Sequence, residues 1–251
     1  MTHPKILLRQ ASATIFAALL PCLGGHAQER CQAFNLETLP KREVRAVWLT
    51  TLSNLDWPKG YATTQEGIER QKRQLTEILD RYAEANINTV LFQARVRATT
   101  TYPSALEPWD RCLTGQEGRA PGYDPLRFAI EECHKRGMEL HAWLATIPCG
   151  PWTSLGCRRL RAKGLRLRKL DGAGYLDPSD ERVAPYLASV CAELTEKYDI
   201  DGIHLDDYFY PGSGFDDAAA YARYGGAFSD IGDWRRDNVN QLVKELGERL
   251  H

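Results

Sequence analysis

Along this chain the spacing of hydrophobic positions switches four times in the same sense, from a period of two to a period near 3.6. The runs 44–49, 87–93, 138–144 and 203–206 are short, apolar and rich in β-branched or aromatic residues, which predicts strands. Each is followed at some distance by a helical pattern. In the first, Ile68, Leu75, Ile78, Leu79, Tyr82 and Ala83 share one face. The second opens with Asp124-Pro125, an N-cap followed by proline at the first helical position, and stops at Gly137. The third aligns Val183, Leu187, Val190, Leu194 and Tyr198, and the fourth aligns Val239, Leu242, Val243, Leu246 and Leu250. An order βαβαβαβα implies parallel strands covered by helices.

The connections are unequal. Helix-to-strand links near 85–86, 137 and 199–202 are short, whereas strand-to-helix links span about 50–65, 94–123, 145–180 and 207–233. Compact domains rarely carry structureless loops beyond ~12–15 residues unless those loops work. All four long loops are therefore expected on the face at the carboxyl ends of the strands, where barrels and open α/β sheets both place their sites. No glycine-rich turn follows Trp48-Leu49-Thr50-Thr51, which removes the main support for a dinucleotide or phosphate loop. Barrel and open sheet both stay compatible with this pattern; with the resemblance described below, the expected fold is α/β of the (β/α)8 TIM-barrel type, with its first four β/α units in residues 43–251, the N-terminal half of the barrel. A closed barrel needs eight strands, so residues 28–251 alone are expected to expose sheet edges and to lack turnover.

Composition adds bounds rather than detail. With 32 basic and 33 acidic residues the net charge is −1, and no global field favours nucleic acid. The first 27 residues carry Lys5 and Arg9, an apolar stretch over 11–20 and a small-residue end at Ala27, the order of a secretory signal peptide. That stretch is shorter than the ~20 residues a membrane span requires, so the mature chain is expected to be exported without a transmembrane segment. Residues 28–42 then form a linker. Export permits disulfides, and Cys149 with Cys157 is the first pair to test, while Cys133 and Cys191 suit buried apolar faces. No CxxC and no zinc-type Cys/His spacing occurs, and neither a metal nor a cofactor is expected.

The strongest chemical signal is Asp201-Gly202-Ile203-His204-Leu205-Asp206-Asp207-Tyr208-Phe209-Tyr210-Pro211. Residues two apart in a strand share a face, so His204 and Asp206 point the same way and Asp207 lies at the strand end. Adjacent carboxylates repel, and one tends to keep its proton, which suits glycoside hydrolysis with one ionised and one protonated acid. Two other readings stay open: one aspartate caps the next element while the other tunes it, or His204 and the aspartates begin a metal site. Five of the six tryptophans, Trp48, Trp57, Trp109, Trp143 and Trp152, fall at or beyond strand ends, where flat rings suit either sugar faces or the pinning of loops. Gln93 with Arg95, and His141 with Trp143, repeat the two-apart spacing at the second and third strands, and Tyr208 can bond a carboxylate or pack. Glu107 is a further candidate acid or a rigid turn. Seven basic residues between Arg158 and Lys169 read as a solvated loop or as a contact for an anionic polymer.

Several blocks together carry a resemblance: Glu43-Val44-Arg45-Ala46-Val47-Trp48-Leu49-Thr50-Thr51, Leu55-Asp56-Trp57-Pro58, Asn88-Thr89-Val90-Leu91-Phe92-Gln93-Ala94-Arg95, Tyr102-Pro103-Ser104, Glu107-Pro108-Trp109, Pro121-Gly122-Tyr123-Asp124-Pro125-Leu126, His141-Ala142-Trp143 and the Asp201 to Pro211 block. From about Glu43 to its end the chain resembles the glycosyl hydrolase-like ten family. That resemblance implies a TIM-barrel hydrolase fold and, for bacterial relatives, cleavage of peptidoglycan glycan strands in the envelope. More loosely, Gly202-Ile203-His204-Leu205-Asp206 is similar to the fourth strand of amylase-type retaining glycosidases, where the aspartate is the nucleophile. Arginine usually stands where this chain has His204. The alternative function is a non-catalytic glycan-binding or envelope-scaffold protein that keeps the aromatic platform.

Overall fold

The computed structural model describes residues 43–206, 209–212 and 214–250. The expected signal peptide over 1–27, the linker over 28–42, Asp207 and Tyr208 lie outside the described residues. The elements run β1 (Ala46–Leu49), α1 (Gln65–Glu84), β2 (Thr89–Arg95), α2 (Arg111–Thr114), α3 (Pro125–Lys135), β3 (Glu139–Ala145), β4 (Pro148–Pro151), α4 (Leu155–Ala162), β5 (Leu167–Leu170), β6 (Ala173–Leu176), α5 (Val183–Lys197), β7 (Gly202–Asp206), α6 (Ala218–Tyr224) and α7 (Ile231–Leu250).

Local chemistry sets the helix ends. Thr64 caps α1 by accepting from the Gly67 N–H at 3.2 Å, and Asp124 caps α3 through the Arg127 N–H at 3.1 Å. Such caps contribute about 1 kcal/mol each by occupying N–H groups with no partner inside the helix. After α3 the chain reverses at Gly137, whose φ of +68° is left-handed backbone that a side chain would strain.

Strands β1, β2, β3 and β7 form one parallel sheet in that order. A doubly wound sheet reverses its strand order at a switch point and covers both faces. Here the order advances in one direction, and the buried apolar core is on one face. Leu49, Val90, Phe92, Ala94, Leu140, Ala142 and Leu144 pack with Leu75, Leu79, Leu126, Ile130, Leu187, Val190 and Leu194 of the helices. Burying each large aliphatic or aromatic side chain in that layer contributes about 1.5–3 kcal/mol.

The other face curls. Neighbouring strands lie about 4.8 Å apart, so in a flat sheet the edge strands β1 and β7 would be separated by roughly 14 Å. Yet the Trp48 ring on β1 meets the His204 ring on β7 with centroids 5.7 Å apart. Side chains from both edges converge over a concave surface, as the closure of a barrel requires. These are four consecutive β/α units of a TIM-type barrel.

The long segment after β3 differs from the expectation of a loop. It folds into a three-stranded antiparallel sheet, β4-β6-β5, with α4 packed beside β4. The basic run from Arg158 to Lys169 is therefore a helix and a strand. Arg161 lies over the Trp152 ring at 4.2 Å, and Arg168 pairs with the buried Asp177 at 2.8 Å. The expected Cys149–Cys157 bridge is absent: both thiols are free and buried. Cys157 Sγ donates to the Cys149 carbonyl at 3.1 Å and Cys149 Sγ to the Ile147 carbonyl at 3.3 Å, so each thiol is satisfied by backbone. Hydrogen bonding with Cys149 lowers the pKa of the Cys157 thiol, against the opposing effect of burial. Among the described residues no helix is long and apolar enough to cross a membrane.

Candidate active site

On the concave face, alternation along each strand places Trp48 of β1, Gln93 of β2, Glu139, His141 and Trp143 of β3, and His204 and Asp206 of β7, while an irregularity in β2 after Gln93 sets Arg95 opposite Leu144. Trp48, with 47% of its surface exposed, stands edge-on to Trp143 at 4.8 Å. Trp143 has a buried indole N–H with no acceptor among the described residues. An unpaired buried donor of this kind costs about 1–3 kcal/mol.

His141 and His204 meet ring to ring. Their Nδ1 and Nε2 atoms are 2.9 Å apart, and His141 Nε2 lies 3.2 Å from Glu139 Oε2. A carboxylate accepts, so His141 donates from Nε2; a neutral His141 then accepts at Nδ1 from His204 Nε2–H. Gly202 makes this possible, since a Cβ there would lie 2.7 Å from His141 Nδ1. Burial, and then the neighbouring His141, lower the pKa of His204 below its ordinary 6.5. Asp206 ends β7 as an exposed carboxylate, and its backbone carbonyl accepts from Thr146 N–H at 2.9 Å, which fixes the strand end against the segment after β3.

Other expected ligand contacts are committed elsewhere. Arg95 is fully buried and is not poised toward a ligand; its guanidinium forms a two-pronged ion pair with Glu107 at 2.8 and 2.9 Å and donates to the carbonyls of Ala145 and Thr146. Burial opposes this charge, but Glu107 more than offsets it and raises the arginine pKa. Glu107, carried as a candidate acid or part of a rigid turn, also accepts from Tyr186 Oη at 2.8 Å, so it ties the loop after β2 to α5. Gln93 Oε1 accepts from Thr50 Oγ1, Thr51 N–H and Leu52 N–H at 2.7–3.0 Å, gathering the loop after β1. Trp57 is fully buried and donates to the Gln71 carbonyl at 2.9 Å, so it pins a loop rather than presenting a platform. Trp109 is half-buried against the core in the loop after β2.

Sequence reasoning missed a cleft of about 550 Å³ among the loops after β1, β2 and β3. Its lining includes Asn54, Arg97, Asp110, Arg111, Glu117 and Ser154. Arg97 continues the two-apart series Gln93, Arg95, which was a readable signal. Glu139, two before His141, was another. No group of three or more His, Cys, Asp or Glu arranged for a metal occurs among the described residues.

The model of the family described as glycosyl hydrolase-like 10 matches residues 43–251. The chain belongs to the glycosyl hydrolase-like 10 family. Among its relatives, "Glycosyl hydrolase YngK" of Bacillus subtilis (strain 168) is 38% identical over 230 residues, covering 83% of this chain and 42% of the relative. "Glycosyl hydrolase DigH" of Escherichia coli (strain K12) is 35% identical over 227 residues, covering 82% of this chain and 52% of the relative. The chain thus spans about half the length of the curated relatives it matches. In fold alone it is similar to the GH20 exo-β-N-acetylglucosaminidase of Vibrio harveyi, with a TM-score of 0.54 at 11% identity, covering 84% of this chain and 34% of that one.

Proposed function

We propose that this family member contributes the Asp206 side of a glycan-hydrolysing site, acting on peptidoglycan or another polysaccharide outside the cytoplasm. The observation that carries the reading is the exposed Asp206 carboxylate at the end of β7, on the concave face shared with His204 and the open Trp48–Trp143 pair. An ionised carboxylate there can serve as nucleophile or base, and the aromatic edges can receive the C–H faces of a sugar. Asp207, next in sequence, is the proposed companion carboxylate, and Tyr208 a proposed contact.

A closed barrel has eight strands, and the described parallel sheet has four. We place the remaining acid or base partner of Asp206 on further barrel strands, so residues 28–251 alone are expected to give no turnover. Export through the segment 1–27 is part of the same proposal, and fractionation of cells expressing the chain tests it directly. For the chemistry, a polypeptide extended to the length of the relatives is incubated with denuded peptidoglycan, peptide-bearing peptidoglycan and α-glucans. Asp206→Asn is expected to lower turnover by about 10³-fold, a loss of roughly 4 kcal/mol of transition-state stabilisation, with binding retained. Unchanged turnover in the Asp206→Asn, Asp207→Asn double variant removes the site assignment. Binding without turnover of any of the three substrates favours the non-catalytic alternative.

A further inference from the structure

Glu139, His141, His204 and Asp206 climb the concave face in one diagonal row. Glu139 opens β3 and His141 follows two residues on; His204 of β7 stands opposite Trp143, and Asp206 opposite Ala145. Exposure changes along the row. Glu139 is exposed at the amino end of the strands, the two rings are partly buried, and Asp206 is exposed again at the carboxyl end.

The hydrogen bonds along this row have one sense. Because the Glu139 carboxylate accepts at 3.2 Å, the His141 proton is on Nε2; because His141 then accepts at Nδ1, 2.9 Å away, the His204 proton is on Nε2 as well. The Nδ1 of His204 is therefore bare, and it bonds no described residue. Both rings are held in place. Only glycine at position 202 leaves room for the His141 ring, and Trp48 of β1 stands edge-on to the His204 ring at 5.7 Å. With its pKa lowered by burial and by His141, His204 is neutral at neutral pH and its Nδ1 lone pair is free.

Such a chain has a second state, reached by moving each proton across one hydrogen bond. A proton accepted at His204 Nδ1 releases the Nε2 proton to His141 Nδ1, and His141 releases its own Nε2 proton to Glu139. No bond to carbon changes. Both rings end with the proton on Nδ1, Glu139 ends as the neutral acid, and the reverse transfer returns a proton to the concave face. Glycoside hydrolysis has a matching need: the attacking water loses one proton, the leaving oxygen gains one, and the acid must be recharged before the next cycle. Residues two apart in a strand are separated by about 6.6 Å, a gap that one water bridges between Asp206 and His204.

We propose that Glu139, His141 and His204 form a reversible proton relay serving the carboxylate of Asp206. The proposal rests on the glycan reading above and adds how its protons are held between the two halves of the reaction.

Nitrogen-15 NMR of the imidazole rings in the full chain tests the resting state, with signals assigned by their loss in His141→Gln and His204→Gln. Both rings are expected as Nε2–H tautomers at pH 7; a proton on Nδ1 of either ring, or an imidazolium at His204, overturns the relay. Turnover is then measured on denuded peptidoglycan with the polypeptide extended to the length of the relatives. His204→Gln keeps a donor toward His141 and cannot pass a proton, and is expected to lower kcat about tenfold at unchanged KM. Free imidazole, a diffusible proton carrier, is expected to restore most of that loss and to leave the wild type unchanged, a response that a merely structural ring would not give. Glu139→Gln is expected to lower kcat by about two- to threefold, since His141 can still exchange its proton with water. Unchanged kcat in His204→Gln, or a loss that imidazole does not restore, overturns the relay and leaves the glycan reading standing. A wild type without turnover on any of the three glycans overturns the glycan reading and the relay with it.

Discussion

The two faces of the parallel sheet are built from alternate residues of the same strands, yet they serve opposite ends. On the helix side Leu49, Val90, Phe92, Leu140 and Leu144 are sealed from solvent. One residue along, Trp48, His141, Trp143, His204 and Asp206 remain reachable and carry aromatic rings, ring nitrogens and a carboxylate. The period of two thus sorts stability onto one surface and chemistry onto the other. Polar side chains appear on the concave face in two states. On β2, Gln93 is buried and satisfied by the fold, as is Arg95 beyond the irregularity that ends the regular alternation of that strand. Over β3 and β7, His141 and His204 bond each other and stay partly open.

The comparison is broken most severely by disturbing the buried ion pair. Glu107→Ala leaves Arg95 charged in a dry site and removes the acceptor of Tyr186, and is expected to cost about 3–5 kcal/mol, read from the shift in urea midpoint at unchanged slope. On the helix face, Leu140→Ala creates a cavity worth about 2–5 kcal/mol by the same measurement. Trp48→Ala, one face over, is expected to cost only about 1 kcal/mol, the worth of its edge-to-face contact, while glycan binding weakens. A Trp48→Ala cost equal to that of Leu140→Ala would erase the distinction between the faces.

The smallest effect is a pH dependence. Because the folded state lowers the pKa of His204, the unfolded chain takes up that proton first as pH falls. The contribution of His204 to stability is therefore complete above its ordinary value of 6.5, declines below it, and levels off once the folded-state pKa is passed. Melting temperatures from pH 8 to 5 are expected to fall less steeply for His204→Gln than for the wild type over that window. Parallel curves would show that the paired rings do not titrate with folding.

Much of this was legible in the chain because it is local. Strand periodicity, the Asp124 cap, Gly137 and the lopsided loop lengths each act over a few residues, and the four β/α units follow from them. The face shared by His204 and Asp206 also follows from spacing alone. The pairing of Arg95 with Glu107 does not: twelve residues of irregular loop separate them, and no periodic rule brings such a loop back onto its own strand. Nor did spacing separate Trp57, sunk beneath a loop, from Trp48, left in the open.

What the sequence by itself determined was the parallel β/α order, the helix ends and which residues share a strand face, since backbone geometry and hydrophobic period act without knowledge of distant partners. Only the tertiary structure decided that the sheet curls until side chains from its two edge strands meet, that residues 148–176 form a second small sheet, that Cys149 and Cys157 stay thiols, and that the Arg97 Nε is buried without a partner. Those outcomes depend on which surfaces meet across space, where long-range packing and desolvation decide between alternatives that local preferences leave nearly equal.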